Sequence, residues 1–432
     1  MLPRTSVLTR RSFSLMALST AAWGSVTLAA AAEPAEVRIT HSMTGGTQKE
    51  AFDAIVAAFE AANPDIKIKQ IVYDDDLYSD TGLITQLKSS SPPEIYFQWA
   101  GAPVQRDARE GFAMDLSADL GAEGWKDSFI APAFSQQMGV LSDGKPYLVP
   151  ITLDVTNVIW YNKQIFKEAG IAPPANWADL MALTKKLASA GETPIVIGNQ
   201  ELWPLGNWAS HIASRVVPPA DYDAAFRLEK PFNTPDFEKA LALVDEIRQA
   251  GGFNKDIAGL GADPAMSTFF QGAAAMHPIG SWLVSSAAEL AEKDFDYDQF
   301  NTPLIDPAHP LKDSVIGTLT GFAVSPKSQN PKQAIAFLRF FTSLENQVKW
   351  AEAGSFSPVR GVMEKAKLDP KTKAMADLLT SAGSLVPPPD TTYPVEVAEA
   401  YYQAAAYVAG GEKPPKDALV WLDDRVKGMR KP

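Results

Sequence analysis

The sequence predicts an α/β protein with two lobes, and three observations carry that prediction. Residues 36 to 72 read strand, helix, strand, the spacing of a βαβ unit and therefore of a parallel sheet. The chain has 432 residues, beyond the roughly 250–300 at which a single core stops growing. No single Pro/Gly/Ser-rich linker divides it, which implies that the chain passes between the lobes more than once.

Each element has its own signal. Glu36 to Thr40 alternates Val37 and Ile39 against charge, a strand pattern, and leads into the polar loop His41-Ser42-Met43-Thr44-Gly45-Gly46. Phe52, Ile55, Val56 and Phe59 share one helical face, which Asn63-Pro64 ends. Ile66, Ile68 and Ile71-Val72 form the second strand, and Glu94 to Trp99 the third, ending at Gly101 and Pro103. Leu148 to Ile151 is extended, and Val155 to Tyr161 reads as a separate strand. Asn176 caps a helix that runs to Gly191, and Pro194 to Gly198 reads as a short buried strand. Thr234-Pro235 opens a helix closed by Gly251; Pro264 to Gln271 is a short helix; Asn330-Pro331 opens another, with Ala334, Ile335, Phe337, Leu338 and Phe341 inward. A helix around Ala418 to Val426 closes the chain.

Apolar residues make up 46% and charged residues 21%, ordinary proportions for a globular protein with a large core. The net charge of -12 and pI near 5.0 disfavour phosphate backbones, so nucleic acid is not an expected partner. With no cysteine there are no disulfides, zinc–thiolate sites or thiol catalysis. Residues 1 to 32 read as a cleavable export signal: Arg4, Arg10 and Arg11, an apolar stretch from Phe13 to Leu28, then Ala29 to Ala32. Thr9-Arg10-Arg11-Ser12-Phe13-Ser14-Leu15 gives it a twin-arginine character. The expected location is the periplasm.

Enzyme signatures are missing. The four histidines, His41, His211, His277 and His309, have no metal-ligand spacing, and there is neither a G-x-S-x-G elbow nor a P-loop. No metal site or cofactor is expected; Asp74-Asp75-Asp76 reads as a solvated acidic turn without the spacing of a calcium loop. A glycosidase needs two facing carboxylates; Glu94, Asp154 and Glu201 are candidates, with no motif that pairs them.

Several tryptophans stand in unusual settings: Trp99 at a strand end, Trp203 before Pro204, Trp208 after Gly206-Asn207, and Trp282 in Gly280-Ser281-Trp282. Ligands of open α/β sheets sit beyond the carboxyl ends of strands, where an aromatic face beside polar groups suits a sugar. Each sugar hydroxyl left unpaired on burial would cost about 1–3 kcal/mol.

These strings resemble family 1 solute-binding proteins of bacterial ABC sugar importers, the group that includes maltose-binding proteins. The resemblance lies in Val37 to Gly46; Glu94 to Gly101; Pro150 to Asp154 with Trp160 to Lys163; and, most specifically, Phe270-Gln271-Gly272-Ala273-Ala274-Ala275-Met276 running into Gly280-Ser281-Trp282. Gly321 to Ser325, the Asn330-Pro331 helix, Glu345-Asn346-Gln347 and Pro358-Val359 extend it over nearly the whole chain after the signal. It implies a two-lobe periplasmic binding protein fold (type II-like) with an interlobe cleft and a multi-strand hinge. The lobes are placed at 33–150 plus 300–323 and at 151–299 plus 324–432.

The resemblance also implies a non-enzymatic, monomeric binder that captures a neutral sugar and hands it to the transmembrane permease of an ABC transporter. Trp282, with Gly280 and Ser281, matches the family's stacking tryptophan. Gln98 and Trp99 match the first lobe's cleft strand, and Ser42 and Thr44 its first loop. Asp154 follows the first crossing. Asn199, Glu201, Trp203 and Trp208 lie on a second-lobe contact stretch; Thr320, Gly321 and Phe322 at the third crossing; Arg360 after Pro358-Val359. The alternatives are a secreted carbohydrate-active hydrolase, or the same fold binding a polyol, a glycerophosphodiester or a peptide.

Overall fold

The computed structural model describes residues 34–74, 77–134 and 140–430; the expected export signal and two of the acidic-turn residues, Asp75 and Asp76, lie outside them. The opening unit forms as its pattern dictates. β1 (Ala35–His41) turns Val37 and Ile39 into the core. α1 (Gly46–Ala62) buries Phe52, Ile55, Val56 and Phe59 and is capped at Asn63. β2 (Ile66–Val72) then pairs parallel to β1 in unbroken register from Ala35↔Ile66 to His41↔Val72. After the short helix α2 (Leu83–Lys88) comes β3 (Ile95–Trp99), also parallel to β1, and then α3 (Ala102–Arg109).

β4 (Val149–Asn162) is one 14-residue strand where the sequence pattern suggested two pieces. Continuity comes from its partner: β7 (Val315–Val324) runs antiparallel to β4, with register shifts between Pro150 and Thr152 and between Val155 and Asn157. Such irregularities bend and twist a strand without ending it. Helices α4 (Trp177–Ser189), α5 (Trp203–Ser214), α6 (Pro235–Gln249) and α7 (Ala262–Phe270) follow. The Asn176 side chain caps α4 through the Asp179 N–H, as its position predicted. The strand expected over Pro194–Gly198 is reduced to isolated bridges from Ile195 to Phe253 and Met276.

β5 (Met276–Ile279) and β6 (Tyr297–Phe300) both pair with β4, and α8 (Leu283–Leu290) lies between them in the chain. The main sheet therefore runs β2-β1-β3-β7-β4-β5, with β3 antiparallel to β7. α9 (Pro331–Phe341) and α10 (Leu344–Glu352) follow β7. β8 (Leu385–Val386) pairs with β7, and α11 (Pro389–Thr392), α12 (Val395–Ala409) and α13 (Pro415–Val426) finish the chain.

The apolar residues gather on either side of the β4–β7 pair. Val37, Ile39, Phe52, Phe59, Val149, Ile151, Leu319 and Phe322 share the first core. The second side holds Val155, Val158, Trp160 and Val315, and, in a neighbouring cluster, Ile159, Trp208, Phe237 and Tyr401. Both long strands thus contribute to both lobes.

This packing corrects the lobe boundaries. The α9 stripe packs on α1, with Phe337 against Phe52 and Phe59 at 6.2 and 5.3 Å, so α9 and α10 join the first lobe rather than the second. Conversely, Phe300 and Ile305 pack with the second. Phe356 packs with the second lobe, Val359 and Val362 with the first, and from Met375 on the chain packs with the second, where α12 and α13 settle. An amphipathic stripe states that a helix has a partner, not which one.

Candidate functional site

The site candidates converge on the two crossing strands. Trp99, at the end of β3, stands opposite Thr320 of β7. The Thr320 hydroxyl donates to Asp154 Oδ2 of β4 at 3.0 Å. The next residue, Val155, exchanges hydrogen bonds with Ser281: its N–H donates to Ser281 Oγ at 3.3 Å, and its carbonyl accepts from the Ser281 N–H at 2.8 Å. That fixes Trp282, whose indole lies 5.7 Å from Trp203 at an interplanar angle of 57°. Two residues before Trp203, Glu201 Oε2 accepts the Ala262 N–H at the start of α7 at 3.1 Å. Trp99, Asp154, Glu201, Trp203 and Trp282 are all half-buried, so the row presents aromatic faces and carboxylates at a surface.

Trp99 is set by what lies beneath it. Gln98 is 1% exposed; its amide donates to Asp107 Oδ2 at 2.5 Å and its carbonyl accepts the Trp99 N–H at 3.0 Å. Its polar atoms are committed to α3 and the backbone, so Gln98 supports Trp99 rather than facing the cleft. Phe97 packs edge-on to Trp99 at 5.2 Å, and Tyr78, donating to the Phe97 carbonyl at 2.6 Å, completes the cluster at 6.2 Å from Trp99 and 6.3 Å from Phe97.

The loop after β1 places Ser42 half-buried and Thr44 exposed. It is held by His41, a residue to which the sequence assigned no role. His41 Nδ1 accepts the Met43 N–H at 3.2 Å, which leaves the proton on Nε2 for Gln70 Oε1 at 3.0 Å. Burial pushes its pKa down to about 4. The neutral ring is thus the form that orders this loop.

Other candidates have structural duties. Trp208 is 0% exposed within the second core, edge-on to Phe253, and Phe322 is 0% exposed in the first. Neither belongs to the site; periodicity could not distinguish an aromatic at a cleft from one in a core. Asn199 is buried, and its side-chain oxygen accepts the Leu205 N–H in the first turn of α5. At Gly280 a Cβ would lie 2.0 Å from the Trp282 ring, and at Gly321 2.2 Å from the Val149 carbonyl. These glycines therefore serve packing. Arg360 donates to the Phe129 carbonyl at 2.6 Å, pinning a first-lobe loop away from the row.

Sequence reasoning also passed over two further carboxylates. Asp263, in the first turn of α7, has its carboxyl pKa raised by desolvation and by Asp74 of the first lobe. Asp390 of α11 is pushed up to about 6 by burial. The neighbouring Thr391 carbonyl meets the first lobe just after Trp99: a Cβ on Gly101 (φ +91°) would stand 1.5 Å from it. The Gly101 beside a cleft strand was visible in the sequence; its distant neighbour was not.

Residues 45–348 match the family model described as bacterial extracellular solute-binding protein. The chain belongs to this family. Among curated relatives, an uncharacterized ABC transporter extracellular-binding protein from Pyrococcus horikoshii is 29% identical over 364 residues, 82% of this chain and 78% of its own. The multiple sugar-binding protein of Streptococcus mutans is 26% identical (76% and 77% covered), and the sn-glycerol-3-phosphate-binding periplasmic protein of Shigella flexneri is 26% identical (79% and 76%). Of solved structures, the bacterial solute receptor AcbH, described with an exclusive preference for β-D-galactopyranose, superposes with a TM-score of 0.82 at 19% identity, covering 92% of this chain and all of its own. At that identity the likeness establishes the two-lobe α/β fold. Family members are solute-binding proteins that work with ABC importers, and this chain has the substrate-binding role of that family.

Proposed function

We infer that this solute-binding protein captures a neutral sugar, a mono- or disaccharide or glucoside, outside the cytoplasmic membrane and delivers it to an ABC permease. One observation carries the sugar assignment: the half-buried Trp203–Trp282 pair is joined through Ser281 and Val155 to the Asp154–Thr320 carboxylate–hydroxyl pair on the crossing strands. An indole face takes the C–H face of a pyranose, and a carboxylate takes its hydroxyls by charge-assisted hydrogen bonds. The row itself carries the carboxylates Asp154 and Glu201, and Asp263, facing Asp74, follows the residue that Glu201 bonds. Such a setting repels a phosphate monoester, which separates this reading from that of the glycerol-phosphate-binding relative. The export-signal reading of residues 1–32 supports delivery to the periplasm.

The test is a thermal-shift panel of galactose, raffinose, maltotriose, polyols, sn-glycerol 3-phosphate and amino acids on the signal-free chain. A ligand at 100-fold its dissociation constant should add about 2.7 kcal/mol to the stability. A clear shift with a sugar that is recovered unchanged is the expected result. A shift with glycerol 3-phosphate alone would overturn the sugar assignment, and cleaved sugar would move the protein to the hydrolases.

A further inference from the structure

Trp282 stands at the N-terminal end of α8, and the last turn of the same helix carries Glu289. α8 belongs to the second lobe through Leu283. Opposite it lies the start of α1 in the first lobe, where Glu289 Oε2 accepts the Gly46 N–H at 3.2 Å. The contact depends on two adjacent glycines. A Cβ on Gly45 would lie 2.4 Å from Glu289 Oε2, and one on Gly46 would lie 2.6 Å from the Ser285 carbonyl. Gly46 adopts φ +71°, which by itself favours glycine. Gly45 is extended (φ -162°), a conformation open to any residue, so its bare Cα matters only for the close approach. Thr47 and Gln48 secure the same end of α1, donating to the Ala353 carbonyl at 2.7 Å and to Ser355 Oγ at 2.7 Å.

A 17-residue helix leaves its first amides unpaired and carries partial positive charge there, the environment in which a carboxylate is stabilised. The carboxylate at α1 comes from the other lobe. The loop leading into Gly45 carries Ser42 and Thr44, and the helix carrying Glu289 begins at Trp282, so this contact joins the candidate ligand residues of the two lobes. A contact made only when the lobes are together shifts the equilibrium toward that arrangement and adds to the affinity of any ligand that needs it.

We propose that Glu289 is a positioning residue for capture: seated on the glycine-opened N-terminus of α1, it holds the lobes in the arrangement that sets Ser42 and Thr44 against Trp282. This rests on the binding reading above. Glu289 touches no ligand in this role. It favours the closed arrangement of the free and of the loaded protein alike, so its loss widens the lobe separation and speeds dissociation.

The cysteine-free chain allows clean spin labelling at Lys88→Cys on α2 and Lys185→Cys on α4, both exposed and one in each lobe. Interlobe distances by double electron–electron resonance are compared for the labelled parent, Glu289→Ala, Glu289→Gln and Gly45→Val, without sugar and with galactose, raffinose or maltotriose. Glu289→Ala and Gly45→Val should move weight to another, more separated distance population. They should also raise the half-saturating sugar concentration about two- to fivefold through faster dissociation. Glu289→Gln, which keeps an acceptor but not the charge, should fall between. Gly45→Val should add nothing in the Glu289→Ala background, because it acts on the same contact. Identical distance distributions and dissociation rates in parent and Glu289→Ala would overturn the proposal. If none of the sugars binds the parent, the sugar reading falls, and the ligand-free distance distributions still decide whether Glu289 holds the lobes.

Discussion

The two lobes hold their half-buried tryptophans by different means. In the first, Trp99 is part of a strand: its place follows from the β3–β7 register, and the buried Gln98–Asp107 pair supports it from below. In the second, Trp203 and Trp282 stand where helices begin, and their near neighbours hold them: Ser281 bonds to β4 through its backbone and side chain, and Glu201 bonds to α7. Moving Trp99 would mean changing the register of a sheet, which turns every side chain of the strand. Moving the second-lobe pair would shift the first turns of α5 and α8 and leave the sheet register as it is. The first lobe's aromatic is therefore fixed by a sheet, and the second lobe's pair by the starts of two helices.

The sharpest way to break this comparison is to set a core tryptophan of the second lobe against its site tryptophan. Trp208→Ala should destabilise the fold by about 3–5 kcal/mol in urea unfolding, while ligand affinity of the remaining folded protein stays close to the parent's. Its indole N–H has no partner among the described residues, so Trp208→Phe should cost much less. Trp282→Ala should do the reverse, weakening sugar binding by about tenfold to a hundredfold in calorimetric titration with little change in unfolding midpoint. Equal effects of the two substitutions on both readouts would erase the distinction between core and site.

The crossing strands offer a smaller effect. Asp154→Asn keeps an acceptor for Thr320 and removes the charge, and should weaken sugar binding by about tenfold. An unchanged affinity would leave Asp154 as a strut between β4 and β7.

Acid sensitivity compares the lobes directly. His41 in the first and His277 in the second are buried with pKa values lowered to about 4, against an ordinary value near 6.5. Each binds fewer protons folded than unfolded, so stability is fully present above pH 6.5 and falls as pH drops toward 4, by up to about 3 kcal/mol per histidine. Asp390, raised to about 6, works in the opposite sense: its native-state protonation below pH 6 offsets part of that loss. Urea midpoints between pH 7.5 and 4.5 should fall. His41→Gln should flatten the curve and, because the ring anchors the Ser42–Thr44 loop, also weaken binding a few-fold at neutral pH; His277→Gln should flatten it alone.

What the sequence determined by itself was local and periodic. The alternation around Val37 and Ile39, the Phe52–Phe59 stripe and the Asn63 stop define the βαβ unit, and the Asn176, Thr234 and Asn330 signals start helices where they are found. The Gly280-Ser281-Trp282 string marked the aromatic that pairs with Trp203. These succeed because strand and helix periods, caps and glycine turns act over a few residues. Tertiary structure decided the rest. It merged two expected strands into β4 because β7 pairs along its length, and it drew α9 into the first lobe because Phe52 and Phe59 of α1 face it. It also buried Trp208 and Phe322 and committed Gln98 to Asp107. The same tryptophan, glutamine or amphipathic helix can serve a core or a cleft. Which one it serves depends on partners tens to hundreds of residues away, brought together only when the lobes pack.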